Sequence, residues 1–302
     1  MKPSITEDVA LLALLDSRPR GTSAADLVRD VLLTGSAAQV WSQAKSDTGM
    51  LFASDSDALG EAERAVRGWA DAGLLWVSIL DPGYPARLRA VQDAPAFLFY
   101  RGDLSLLARG MSVVGSRAAS EAGLTRAAAA VRVLVDAGYS VISGLASGVD
   151  ACAHTAAIAA GGRPVGVIAT GIAATYTPAG TRALHEQVAE TGVLVSQFRP
   201  FAGARKQTFL QRNATMSGIG YATFVGDAGE RSGARAQARM AMEHGRPVIL
   251  PVEVVEANQW AQAMRDLPNV HIVGGVDDLS ASIEQIEASA TDLTGLLTRM
   301  VG

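Results

Sequence analysis

Met111-Ser-Val-Val-Gly-Ser-Arg117 and Tyr139-Ser-Val-Ile-Ser-Gly-Leu-Ala-Ser-Gly-Val-Asp150 decide the reading of this chain. Each is a short apolar run that breaks at glycine and enters a helical stretch, the order strand, tight turn, helix N-terminus. That order makes an anion cradle. Glycine lets the backbone approach a ligand, while unpaired N–H groups and the positive end of the helix dipole point at it. Two such turns on neighbouring parallel strands would form one continuous anion-binding edge.

Working outward, apolar runs predict strands near 111–114, 139–143, 164–168, 193–196, 221–225 and 247–251, with a weaker one at 269–273. Helical stretches fall between and after them, over 119–136, 148–160, 180–190, 208–217, 233–244, 255–266 and 277–287. Strict alternation with short, continuously apolar strands predicts a parallel sheet covered on both faces. The fold class is α/β, a doubly wound Rossmann-like sheet, whose ligands lie beyond the carboxyl ends of the strands. Residues 1–73 differ in texture: amphipathic pieces around 7–16, 24–33 and 58–72 predict a small helical domain, leaving 74–302 as the Rossmann-like domain.

Composition narrows the function. A chain of 302 residues, 49% hydrophobic, can bury a large core. Its longest early apolar run, Val9 to Leu15, is too short to span a bilayer and lacks the basic start of a secretion signal, so a cytoplasmic protein without a membrane role is expected. A single cysteine, Cys152, and four scattered histidines, His154, His185, His244 and His271, predict no disulfide and no metal. Gly115-Ser-Arg117 is not the spaced three-glycine fingerprint of a dinucleotide site, and no acidic ribose hook follows the second strand, so no cofactor is expected. Ser116, Ser143 and Ser232 lack a motif-linked histidine base, although His154 could approach one of them in space; a binding protein, not an enzyme, is the reading. The net charge of −4 is unevenly distributed: 110–250 holds 13 basic and 8 acidic residues, 251–302 holds 2 and 8. The glycine-turn segment is the basic one, and both a nucleic-acid surface and ordinary solvated surface fit it.

The order of motifs resembles the DNA-processing protein A family (DprA, also called Smf). The likeness runs through Ile79-Leu-Asp-Pro-Gly-Tyr-Pro85 with Leu88, Ala94-Pro-Ala-Phe-Leu-Phe-Tyr-Arg-Gly102, Val114-Gly-Ser-Arg117 with Ser120 and Gly123, and Ser143 to Asp150 with Ala153-His154. It continues through Thr170-Gly171, Tyr176 and Pro178, Phe209-Leu-Gln-Arg-Asn213, Asp227-Ala228, Ser232-Gly233, and Gly245-Arg246 running into Pro251. Where the family pattern has a second arginine, a Ser-Glu pair, the glutamate of a Glu-Ala pair and an asparagine, this chain has Ala214, Ser196-Gln197, Asp227 and Thr181. It inserts Thr177 within the Tyr-Pro motif, and Pro251 lacks its following glycine. With the sequence stopping at Gly302, the winged-helix-like domain that many members carry is not expected. The resemblance implies the DprA/LOG-like superfold, single-stranded DNA binding, a homodimer, and delivery of incoming DNA to the RecA recombinase during transformation.

The matched residues form a plausible grip on a phosphate backbone: Gly115, Ser116 and Arg117 at the first turn, Ser143 and Gly144 at the second, Lys206, Arg212 and Asn213 around a helix start, and Arg231, Ser232 and Gly233 at a third loop. Each has a plainer alternative. Arg117 could pair with Asp150 or Asp227, Arg231 with Glu230, and Arg212 could pair locally; Asp150 could cap the second turn, His154 could simply pack, and Tyr176 could stack on a base or close the core. A competing reading makes the sheet edge a seat for a small nucleotide in a sensor or an antitoxin with a toxin partner. A third, a phosphoribohydrolase, lacks its paired-glycine motif and glutamate. An apolar face around Ile283, Ile286 and Leu293 could serve dimerisation or pack on its own sheet.

Overall fold

The computed structural model describes the backbone of residues 5–18, 21–48, 57–174 and 181–301, and the side chains of 6–18, 21–44, 57–174 and 181–289. The chain divides into two units. The first comprises residues 1–101, 170–176 and 195–204, the second 102–169, 177–194 and 205–302.

The first unit opens with four helices, α1 (Ile5–Asp16), α2 (Ala24–Thr34), α3 (Ala37–Thr48) and α4 (Ala58–Asp71), followed by β1 (Leu75–Ser78), α5 (Ala86–Arg89) and β2 (Phe97–Gly102). Helix α1 is not amphipathic as expected: every residue from Val9 to Leu14 is buried, because other helices pack around it. The first unit runs past residue 73 to Arg101, and within it β1 and β2 pair antiparallel, with Trp76 opposite Phe99. Trp69 of α4 meets Trp76, Phe97 and Phe99 edge-on, with centroids 5.7, 5.6 and 4.9 Å away. Trp76 Nε1 donates to Asp8 Oδ2 at 2.9 Å. These aromatic contacts bind 75–101 to the helices.

The second unit alternates strand and helix: β3 (Gly110–Gly115), α6 (Glu121–Asp136), β4 (Ser140–Ser143), α7 (Val149–Ala159), β5 (Pro164–Val167), α8 (Arg182–Thr191), β6 (Val193–Ser196), α9 (Lys206–Ile219), β7 (Thr223–Asp227), α10 (Gly233–Glu243), β8 (Val248–Pro251), α11 (Val252–Ala257), α12 (Gln259–Met264), β9 (Val270–Val273) and α13 (Val276–Val301). Six of its strands lie in the order β5-β4-β3-β7-β8-β9, every pair parallel. β4, β5 and β8 are buried at every position, as strands covered on both faces must be. Ala127 and Ala130 bring α6 close to the sheet, in a core that includes Met111, Val113, Val141, Phe224 and Ile249. Ile283 and Ile286 belong to that same core, so these two residues are not available as a dimer face; Leu293 lies outside the described side chains. The single helix expected over 255–266 is two, broken at Asn258. Its buried amide Nδ2 donates to Val254 O and Ala228 O at 2.9 Å each, tying the loop after β7 to α11.

Candidate nucleic-acid interface

The winding of the sheet reverses beside β3. The chain steps outward from β3 to β4 and β5, then returns to lay β7 against the other flank of β3. Helices leaving the two strands diverge there and open a crevice at their carboxyl ends. A recess of about 870 Å³ fills this crevice, with walls from the loops after β3 and β7 and from α9 and α10.

A bulge shapes its edge. Val114 pairs with Val225 but Gly115 pairs with Asp227, so Gly226 is passed over and Asp227 is re-aimed. The Asp227 carboxylate accepts from Ser120 N at 2.7 Å and Ser120 Oγ at 3.2 Å, a negative group at the start of α6 where the helix dipole favours it. Asp227 therefore docks a helix and does not pair with Arg117. Nor does Arg117 have any other carboxylate partner among the described residues. It stands exposed, its guanidinium 5.3 Å from the ring centroid of the half-buried Phe209.

At the second glycine turn Asp150 takes the turn-holding place expected of it. Asp150, only 7% exposed, turns back into it and accepts from Ala146 N at 3.4 Å. Burial pushes the pKa of this carboxyl up, against the opposing pull of the Arg212 charge. The cradle is filled by the chain's own acid. Gly144 gives its close approach to Arg212, since a Cβ there would lie 1.5 Å from Arg212 Nη1. Gly148, at φ +77°, turns left-handed to let Val149 N donate to Ser116 O at 3.1 Å; a Cβ would lie 2.2 Å from that oxygen. Gly144 thus serves contact with α9, and Gly148 contact with the first turn. Ser143 is fully buried and donates to Val113 O at 2.6 Å, and neither it nor Gly144 lines the recess, where Ala146 and Asp150 stand for the second turn beside Gly115, Ser116 and Arg117 of the first.

The remaining expected residues converge. Gly115, Ser116, Arg117, Lys206, Arg212, Asn213, Arg231, Ser232 and Gly233 all line the recess. Arg212 does so only as inner wall: it is 5% exposed, Nη1 donates to Val167 O at 3.1 Å, and Asp150 is its electrostatic partner. Lys206 opens α9 and is exposed, as is Arg231. Glu230 does not pair with Arg231; its carboxylate takes the backbone N–H of Gln259. Ser232 caps α10 by accepting from Ala234 N at 3.2 Å. Ser116 Oγ accepts from Ala118 N at 3.2 Å, and among the described residues no histidine lines the recess. His154 is fully buried, and burial pushes its pKa down to about 3, so it packs as a neutral ring. Cys152 Sγ lies 3.4 Å from Leu124 O, its thiol pKa raised by burial. Tyr176, Thr177 and Pro178 lie outside the described residues.

Among the lining residues to which the sequence reading gave no ligand role are two with aromatic or polar side chains. One is Phe209, under Arg117. The other is Gln237 of α10, 1% exposed, whose amide Oε1 and Nε2 have no hydrogen-bond partner among the described residues. Its signal is readable in hindsight, a polar residue on the buried stripe Ala234, Gln237, Ala238, Ala241.

Residues 76–277 match the family model of DNA recombination-mediator protein A. The chain belongs to that family. DNA processing protein DprA of Bacillus subtilis is 33% identical over 188 residues, 62% of this chain and 63% of the relative. For DprA of Streptococcus pneumoniae the figures are 37% over 173 residues, 57% and 61%. The chain thus matches less than two thirds of the length of these curated relatives. The X-ray structure of Streptococcus pneumoniae DprA superposes with a TM-score of 0.71 at 25% identity, covering 93% of this chain and 98% of that one. A structure of DNA processing protein A from Helicobacter pylori shares the fold, with a TM-score of 0.60 at 19% identity over 67% of this chain and 93% of that one. In this chain the first two matched motifs are scaffold: buried Tyr84 donates its hydroxyl to Pro95 O at 2.7 Å, and Arg89 Nε donates to Ile79 O at 3.0 Å.

Proposed function

We propose that the recess at the β3–β7 crevice binds single-stranded DNA, chiefly through its phosphates, and that the protein is a DNA-processing factor of the DprA kind. The observation that carries this reading is the convergence of three exposed cations, Arg117, Lys206 and Arg231, none with a carboxylate partner among the described residues, on one crevice. Arg117 offers a bidentate fork, Lys206 a mobile point charge, and α10 the positive end of a helix. The Helicobacter pylori protein of the same fold is described by its single-stranded DNA binding mode. By family likeness the protein acts as a homodimer that passes its strand to the RecA recombinase in transformation. The test is anisotropy with a strand of about 20–30 nucleotides and the matching duplex at low salt, where a few phosphate contacts dominate. The strand binds more tightly than the duplex; no strand binding at low salt would sink the reading.

A further inference from the structure

We infer that Phe201, in the first unit and outside the recess, is a platform on which a base of the bound strand stacks; the inference rests on the single-stranded DNA reading. Among the described side chains it is the one Phe, Tyr or Trp ring that is exposed, at 72%. A ring that size stays in water only where the chain around it prevents it from folding in. The loop that carries it, between β6 and α9, is clamped at its stem. Gly171 N donates to Ala202 O and Ala173 N to Pro200 O, each at 2.8 Å, and Ala202 N closes a turn onto Arg199 O at 2.9 Å. Ser196 Oγ donates to Thr170 O at 2.6 Å and accepts from Phe198 N at 3.1 Å. The two segments lie so close that a Cβ on Gly171 would fall 2.1 Å from Arg199 O. Arg199 adds an ion pair with Asp16 and stands 5.9 Å from the ring centroid of Trp69. The tip is thus fixed before any partner arrives, and the ring it holds out loses little freedom on contact.

A lone ring in this setting fits a base better than a protein. Aromatic anchors of protein interfaces are surrounded by further contacts that exclude water. The exposed residues that follow Phe201 in the chain are instead Gly203, Arg205, Lys206 and Gln207. Small and basic neighbours suit a base stacked on a ring with a cation for its phosphate, a contact that tolerates any sequence because every base has a π-face. Lys206, one of the three cations at the recess, is five residues on, so one continuous stretch of chain carries both kinds of contact.

The test measures affinity of the full chain for a strand of about 20 nucleotides and for an abasic strand with the same number of phosphates. Phe201→Ala lowers affinity for the base-bearing strand about tenfold and leaves the abasic strand unchanged, while Phe201→Trp keeps wild-type affinity for both. Both variants melt at the wild-type temperature, because an exposed side chain adds little to the fold. If wild type binds and Phe201→Ala binds the base-bearing strand equally well, the platform is overturned and the phosphate reading stands, with the ring left for an apolar pocket on a protein partner. An equal loss on both strands overturns it too, since the ring would then act on phosphate contacts. If wild type binds neither strand, the DNA reading fails and the platform with it.

Discussion

Arg117 stands exposed over Phe209, while Arg212 is sealed between Gly144, Val167 and Asp150, so truncating each removes something different. Arg117→Ala is expected to weaken strand binding by about 1–3 kcal/mol, the range for a charge-assisted hydrogen bond, with an unchanged melting temperature. Arg212→Ala is expected to destabilise the fold by about 3–5 kcal/mol, because Asp150 is left buried without its opposite charge. Urea unfolding of both variants separates them, and equal stabilities would contradict the buried role of Arg212. His154 makes a pH prediction. Unfolded, its imidazole protonates near 6.5, and folded only near 3, since burial and the charges of His185 and Arg212 oppose imidazolium. Between those values the unfolded chain binds more protons, so stability falls as pH falls, by about 1.4 kcal/mol per unit from this group. His154→Leu should shrink the loss of unfolding free energy between pH 7 and pH 5 by about 2 kcal/mol.

At the scale of elements, Asp227 and Gly123 act as one joint between β7 and α6. A Cβ on Gly123 would lie 2.5 Å from Asp227 Oδ2, and that oxygen accepts both groups of Ser120. Asp227→Asn is expected to lower stability by about 1 kcal/mol by removing the negative charge at the α6 N-terminus, with strand affinity unchanged; a matching drop in affinity would place Asp227 in the interface instead. The strands of the second unit were legible because a sheet covered on both faces leaves short, continuously apolar runs between helical stretches. β2 was harder to read: its buried Phe97-Leu-Phe99 is short, and its pairing with β1 lies in no local pattern. Helix α3 has only a weak apolar stripe, and α1 is buried all round, a state amphipathicity does not signal. At the site, the loops could be placed from the order of motifs. The hold of Asp150 on the second turn was legible as well, as the acid that opens the following helix; the packing of Gly144 on Arg212 was not, since it depends on which side chain of another helix reaches the turn.

Over the whole molecule, the basic excess of 110–250 overstates the site. Arg126 meets Glu253 at 3.6 Å and Arg239 meets Glu243 at 3.3 Å, so part of that charge is spent away from the recess. With three cations at the mouth, the logarithm of strand affinity should fall against the logarithm of salt concentration with a slope of about −2, and Lys206→Ala should reduce its magnitude by about 0.7. A slope near zero would mean that these side chains do not meet phosphates. Asp150 has a kinetic counterpart. A loop that must wait for its anion to become ordered adds a conformational step to every encounter, whereas a turn already closed around an internal carboxyl presents its walls finished. Capture should therefore proceed in a single phase whose rate rises linearly with strand concentration and is set by electrostatic attraction, with no plateau from a slow closing step.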